Sequence, residues 1–278
     1  MEELKILFAT DFSPNSKTAL QFIKKISSVY KTELTLIHVV QSFWKDWFTS
    51  GEYKKETSQR LIIWQSELPE KLQTKKPIIE YGNPADVILQ HSQGKKINLI
   101  LLGSRAAQDN GRYKTGSTIE NVARYTKQSV FICKNNMVSK ILCGIDGSDA
   151  SAKALQFAMD LAHRFSASLC IVSAFPSCEC NPLGMSDHEI KKCEEKSNQE
   201  EIKKLDEFLK RFDFSGVTMD KYFIPGVPAN VVLDRAEDFN HDLIVVGAKG
   251  HSLLHHVLIG STAEKILRYA PCSLLVVR

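Results

Sequence analysis

The 278 residues contain no apolar run long enough to cross a bilayer, which requires about 20 consecutive apolar residues. The first residues, Met1-Glu-Glu-Leu-Lys-Ile-Leu-Phe8, run directly into a strand pattern with no signal-peptide layout, so the expected location is cytoplasmic. Large charge excess is also missing. A formal net charge of +4 is too small to argue for nucleic acid. No Cys-x2-Cys pair occurs among the seven cysteines, and an odd count does not describe a disulfide framework. Cys133, Cys143, Cys170 and Cys272 lie in or beside apolar runs and read as reduced core thiols. Cys178, Cys180, His188 and Cys193 form the one cluster with zinc-ligand chemistry, but their spacing is not that of a structural zinc site. A pair of reactive or incidental loop thiols is a better reading of the cluster than zinc. Two nucleotide signatures are absent as well. Without Gly-x4-Gly-Lys-[Ser/Thr] there is no P-loop, and without Gly-x-Gly-x-x-Gly dinucleotide binding is disfavoured.

What is present is a repeat. Lys5-Ile-Leu-Phe-Ala-Thr-Asp11-Phe-Ser13 matches Lys140-Ile-Leu-Cys-Gly-Ile-Asp146-Gly-Ser148, and Ala19-Leu-Gln-Phe22 matches Ala154-Leu-Gln-Phe157, all 135 residues apart. Gly82-Asn-Pro-Ala85 then matches Gly226-Val-Pro-Ala229 at an offset of 144, as do Gly116-Ser-Thr118 and Gly260-Ser-Thr262. The closing runs Ser129–Lys134 and Ser273–Arg278 keep that offset. The second copy therefore carries about nine extra residues, placed near Cys178–Cys193. Two domains are expected, at 1–136 and 137–278, joined by the short Lys134-Asn-Asn-Met-Val-Ser139. Such a linker is too short for a loose tether, so the domains should pack together. The first half carries a net +7 and the second −3, which would suit contact between them.

Each copy alternates short β-branched runs with amphipathic stretches, the pattern of an α/β doubly wound fold. In the first copy, strands are expected at Lys5–Ala9, Glu33–Val40, Lys76–Tyr81, Leu99–Leu102 and Ser129–Cys133. Helices are expected at Ser16–Tyr30, Glu56–Leu72, Pro84–Gln93 and Ser117–Tyr125. Leu61, Ile62, Trp64 and Leu68 are expected to form the buried stripe of the second helix. Five parallel strands per copy, with helices on both faces, follow from right-handed crossovers. Ligands in such sheets bind where strand order reverses, at the carboxyl ends of the strands. If strand one lies beside strand four, Asp146 and the loop after Val246 face one crevice.

That loop, Gly247-Ala-Lys-Gly250, nine residues, then Gly260-Ser-Thr262, follows a strand and leads into the helix pattern Ala263–Tyr269. Glycines admit a phosphate close to the backbone, and a helix N-terminus offers unpaired N–H groups. The plainer reading is a capping box made by Ser261 and Glu264.

The chain resembles the universal stress protein family in its tandem two-domain form. The resemblance rests on Gly247, Gly250, Gly260 and Ser261, which complete that family's G-x2-G-x9-G-[S/T] motif. Asp146 and Ser148 in the D-x-S turn and the G-x-P-A turns agree with it. The resemblance implies ATP, with Mg2+, as the ligand. Asp146 would then meet the ribose hydroxyls, unless its part is to cap the following helix. Ala174 would offer backbone contacts to adenine. Gly247, Gly250, Gly260, Ser261 and Thr262 would hold phosphates, with charge from Lys249 or His251. The first copy departs from the motif, with Ala106 where the second glycine belongs. Its equivalents Asp11, Val39, Gly103, Arg105, Gly116, Ser117 and Thr118 are expected to bind ATP weakly or serve structure alone. The resemblance also implies self-association through the closing strands, either in a homodimer or between the two domains of one chain. The expected function is an ATP-binding regulatory or protective stress-response module. A ligand-free scaffold and a slow ATPase are the alternatives, since no dedicated catalytic base is visible.

Overall fold

A computed structural model describes residues 3–41, 51–73, 75–94, 97–104, 115–175, 187–250 and 259–278, with side chains described from 54 and 195 in the helices that begin at 51 and 187. Ten strands form one sheet in the order β3-β2-β1-β4-β5-β10-β9-β6-β7-β8. The first half contributes β1 (Glu3–Thr10), β2 (Lys31–Val40), β3 (Ile78–Tyr81), β4 (Leu99–Gly103) and β5 (Ser129–Cys133). The second contributes β6 (Lys140–Ile145), β7 (Ser168–Phe175), β8 (Met219–Pro225), β9 (Leu243–Gly247) and β10 (Ser273–Val277). Within each half all neighbours are parallel. The halves meet through an antiparallel pair that sets Leu274 opposite Ile132, Leu275 opposite Phe131 and Val276 opposite Val130. Pairing of the closing strands inside one chain is thus the arrangement this protein adopts.

The helices are α1 (Pro14–Val29), α2 (Gly51–Ser66), α3 (Pro84–Gly94) and α4 (Ser117–Tyr125), then α5 (Asp149–Phe165), α6 (Asp187–Leu209), α7 (Pro228–Asp238) and α8 (Ser261–Tyr269). One face of the sheet buries α1, α2, α5 and α6, through side chains such as Phe22, Leu61, Leu155 and Phe208. The opposite face buries α3, α4, α7 and α8, through Ile88, Val122, Val232 and Ile266. Both apolar layers run unbroken across the β5–β10 junction, because Phe131 and Leu275 point to one face while Val130, Ile132, Leu274 and Val276 point to the other. This is the period-two alternation of a strand covered on both sides.

Two expectations about the second helix need correction. It ends at Ser66, and Glu70–Leu72 is a separate 3-10 turn begun at Pro69. A proline ring fixes φ and disfavours helix in the residue before it, so the helical pattern cannot run through Leu68–Pro69. Ile62 is 58% exposed, whereas Leu61, Leu68 and Leu72 are buried. Among the described residues no helix is long and apolar enough to cross a membrane.

Candidate functional site

In both halves the first strand lies between the second and the fourth, so strand order reverses beside it. β6 pairs with β9 from Ile141↔Leu243 to Gly144↔Val246, which brings Asp146 and the Gly247 loop to the same edge. A cavity of about 290 Å³ opens there. Asp146, Ala174, Gly247, Lys249, Gly250, Gly260, Ser261 and Thr262 all line it, beside the apolar walls Val172, Val232, Val246 and Ile266. His251 lies outside the described residues.

The loop closes on itself. Gly260 N–H donates to the Ala248 carbonyl at 2.7 Å, and Ala248 N–H donates to the Val277 carbonyl at 2.8 Å. Ala248 and Gly260 therefore meet beside the strand end. Gly260 is then the N-cap of α8, with φ −77° and ψ 157°, and no side chain caps that helix. The expected capping box is absent. Ser261 is one position too late to cap, and the Glu264 carboxylate instead accepts from Arg124 at 2.5 Å and Arg268 at 3.0 Å. The first turn of α8 consequently presents backbone N–H groups and the positive end of the helix dipole to the cavity.

Three glycines have three separate reasons. A Cβ on Gly247 would stand 2.8 Å from the Ala150 carbonyl carbon, because α5 begins against this strand end. On Gly250 it would stand 2.3 Å from Asp146 Oδ2. On Gly260 the nearest atoms lie at 3.6 Å or more, an ordinary contact distance. Gly250 is thus constrained by the aspartate that the cavity brings to it, not by a left-handed backbone.

Asp146 does not cap α5. Ser148 does, accepting from Ser151 N–H at 3.2 Å, and Asp146 Oδ1 orients the cap by accepting from the Ser148 hydroxyl at 2.6 Å and amide at 3.0 Å. Ser148 serves the turn and does not line the cavity. In its place the wall contains Ser151 and Pro228. Pro228 begins α7 after Gly226, whose φ of +144° favours glycine and whose N–H donates to the Phe175 carbonyl at 2.9 Å. Pro228 could have been anticipated from the G-x-P-A repeat, but Ser151 carried no signal of its own.

The first half builds the same frame with other contents. Asp11, Val39, Gly103, Gly116, Ser117 and Thr118 line a cavity of about 210 Å³, and Gly116 likewise caps α4 without a side chain. Arg105 and Ala106 lie outside the described residues. Among the described lining residues Asp11 is the one charged side chain. Asp11 is also held differently, accepting from Ser16 Oγ at 2.7 Å, where the equivalent Ser151 Oγ donates to the Ser148 carbonyl. Next to it Phe12 adopts φ +60°, a conformation that its counterpart Gly147 takes at +82° without a side chain to strain. Phe12 packs against His38 with centroids 4.6 Å apart and against Trp64 at 5.4 Å. Burial holds His38 below the ordinary histidine pKa.

For zinc, Cys178 and Cys180 lie outside the described residues, as do the side chains of His188 and Cys193. Elsewhere, among the described residues, no three His, Cys, Asp or Glu side chains gather as metal ligands. Burial raises the Cys133 and Cys272 thiols to about 12, as expected of inert core thiols.

The model of the universal stress protein family matches the chain twice, at residues 4–134 and 137–278. A universal stress protein of Methanocaldococcus jannaschii is 32% identical over 157 residues, 55% of this chain and 90% of that protein. The universal stress protein YxiE of Bacillus subtilis is 31% identical over 148 residues, 51% of this chain and all of the other. Among solved structures, a universal stress protein from Archaeoglobus fulgidus shares the fold along the whole chain, with a TM-score of 0.64, 22% identity and coverage of 99% of this chain and 98% of that one. With both halves matched and the same fold repeated in each, the chain belongs to the universal stress protein family and carries its module twice in tandem.

Proposed function

We propose that the second-domain crevice binds ATP, with Mg2+, and that occupancy makes the chain a nucleotide-dependent regulatory or protective module in the stress response. The observation that carries this reading is the uncapped N-terminus of α8, opening on a cavity that also holds Lys249 and Asp146. Free helix N–H groups with a glycine at the cap suit a phosphate chain. The apolar walls between Val172 and Ile266 suit a base, and the Asp146 carboxylate can accept from ribose hydroxyls. His251 is proposed, with Lys249, as a phosphate-side cation. Boundaries at 1–136 and 137–278 are proposed as the limits of the two modules.

The first-domain crevice is smaller, and the sequence beside it carries Ala106 where the motif has its second glycine. We therefore assign one competent site per chain. Titration calorimetry of the full chain with Mg-ATP is expected to give one saturable site, lost on Gly250→Val and retained when Gly116 is substituted. No heat and no thermal shift at millimolar Mg-ATP would overturn the proposal in favour of a ligand-free scaffold. Steady release of inorganic phosphate would add a slow ATPase, for which the crevice offers electrostatic stabilisation but no evident base.

A further inference from the structure

The helix whose N-terminus opens on the second-domain crevice, α8, is held along its length by residues of the first half. In its first turn, Glu264 Oε1 accepts from Arg124 Nη2 at 2.5 Å, and Arg268 of α8 itself adds a bond to the same oxygen at 3.0 Å. Further along, the Leu267 carbonyl accepts from the hydroxyl of Thr115 at 2.5 Å; Thr115 is buried and directly precedes Gly116, the N-cap of α4. Beyond the last turn, the Ala270 carbonyl accepts from Lys134 Nζ. The repeat does not return these contacts in kind. Glu120, the counterpart of Glu264, has Arg268 Nε 3.9 Å away, and Ile259 stands where Thr115 does. In the reverse direction Arg278 Nη2 donates to the Ala123 carbonyl of α4.

A carboxylate in the first turn of a helix competes with any bound anion for the positive end of that helix. Glu264 stands in this position toward the phosphates assigned to α8. Its pair with Arg124 is part exposed, at 31% and 37%, and such a pair adds little to stability. Its consequence is electrostatic. Glu120, Arg124, Glu264 and Arg268 are neutral as a group, and without Arg124 the group would carry a negative charge beside the first turn of α8. We propose that Arg124, a residue of the first half, is a positioning residue of the second-domain nucleotide site: it engages and neutralises Glu264, leaving the positive end of α8 to the phosphates. The inference rests on the ATP reading of that crevice. Coupling of this kind is reciprocal, so bound nucleotide in turn strengthens the contact between the halves.

The test is the affinity of the full chain for Mg-ATP, measured by titration calorimetry at low salt. Arg124→Met should weaken binding about fivefold, while Arg124→Lys, which keeps the charge, should stay within about twofold of the wild type. Glu264→Gln alone should bind no more weakly than the wild type, and combined with Arg124→Met it should restore the lost affinity. A contact that only held α8 in place would not recover when its second partner is removed as well. Unchanged affinity in Arg124→Met, an equal loss in Arg124→Lys, weaker binding by Glu264→Gln, or a loss that persists in the double variant would overturn the proposal while the nucleotide site itself stands. No binding by the wild-type chain would overturn the nucleotide reading and this inference with it.

Discussion

At the residue scale, the glycine motif divides into a packing glycine, a neighbour of the aspartate and a position with room to spare. Gly247→Ala drives a methyl into the backbone of α5, and a loss of about 2 kcal/mol in unfolding free energy is expected from such overpacking. Gly250→Ala instead pushes on the Asp146 carboxylate, so nucleotide affinity should fall about tenfold or more while the thermal midpoint moves little. Gly260→Ala meets nothing closer than 3.6 Å, so it should cost stability only the weaker N-cap preference of alanine, about 0.5 kcal/mol. Any affinity it costs therefore reports on a ligand lying against α8. Calorimetric binding and thermal melts on the three variants separate these outcomes. Ser148→Ala removes the cap of α5 and the partner of Asp146 together, and should cost about 1 kcal/mol.

At the element scale, the junction strand places a lysine where water is scarce. Burial lowers Lys134 from 10.5 to about 8, while its ammonium donates to the Ala270 carbonyl at the end of α8. A lysine with a depressed folded pKa makes the native state hold fewer protons than the unfolded state between those two values. Stability should then rise with pH from about 8 toward 10.5, and the burial penalty is fully present below 8. Urea midpoints across that range should climb more steeply for the wild type than for Lys134→Met. Parallel slopes would show that the titration belongs to another group. The helices were partly legible in sequence, since apolar spacing marked α1 and Pro84 marked the start of α3. The break in α2 was signalled by Pro69, but the outward position of Ile62 depends on which side of the helix the sheet covers.

At the scale of the whole molecule, pairing β5 with β10 leaves β3 and β8 as the outer edges of the sheet. Leu274, Leu275 and Val276 are 0–1% exposed, with β5 of the other half closing the strand edge that β9 leaves open. Separating the halves at Asn135–Asn136 would expose that strand on each. Each half made alone is expected to sediment as a dimer or to associate with the other half, whereas the intact chain sediments as a monomer. Sedimentation equilibrium distinguishes these cases. Contacts outside the sheet reinforce the junction, with Tyr30, Asp160 and Arg164 on one face and Arg124, Glu264 and Arg268 on the other. Across the junction, Arg124 of the positive half pairs with Glu264 of the negative half, in the sense of the charge difference between them.

The sequence alone determined the repeat, the alternation of strands and helices, and the glycine positions, because each is written in local periodicity or in residues a fixed distance apart. It also placed Gly247, Gly250, Gly260 and Ser261 in one motif. Only the tertiary structure decided that Gly260, not Ser261, caps α8, and that Ser148, not Asp146, caps α5. Capping depends on where the chain enters the helix, which a one-residue shift changes. The close approach of Gly250 to Asp146 joins residues about a hundred positions apart, through strand order that no local pattern encodes. The stacking of Phe22 on Phe131 and the hydrogen bond from Tyr30 to Asp160 join distant positions in the same way, the latter through strand pairing that brings the two repeats together.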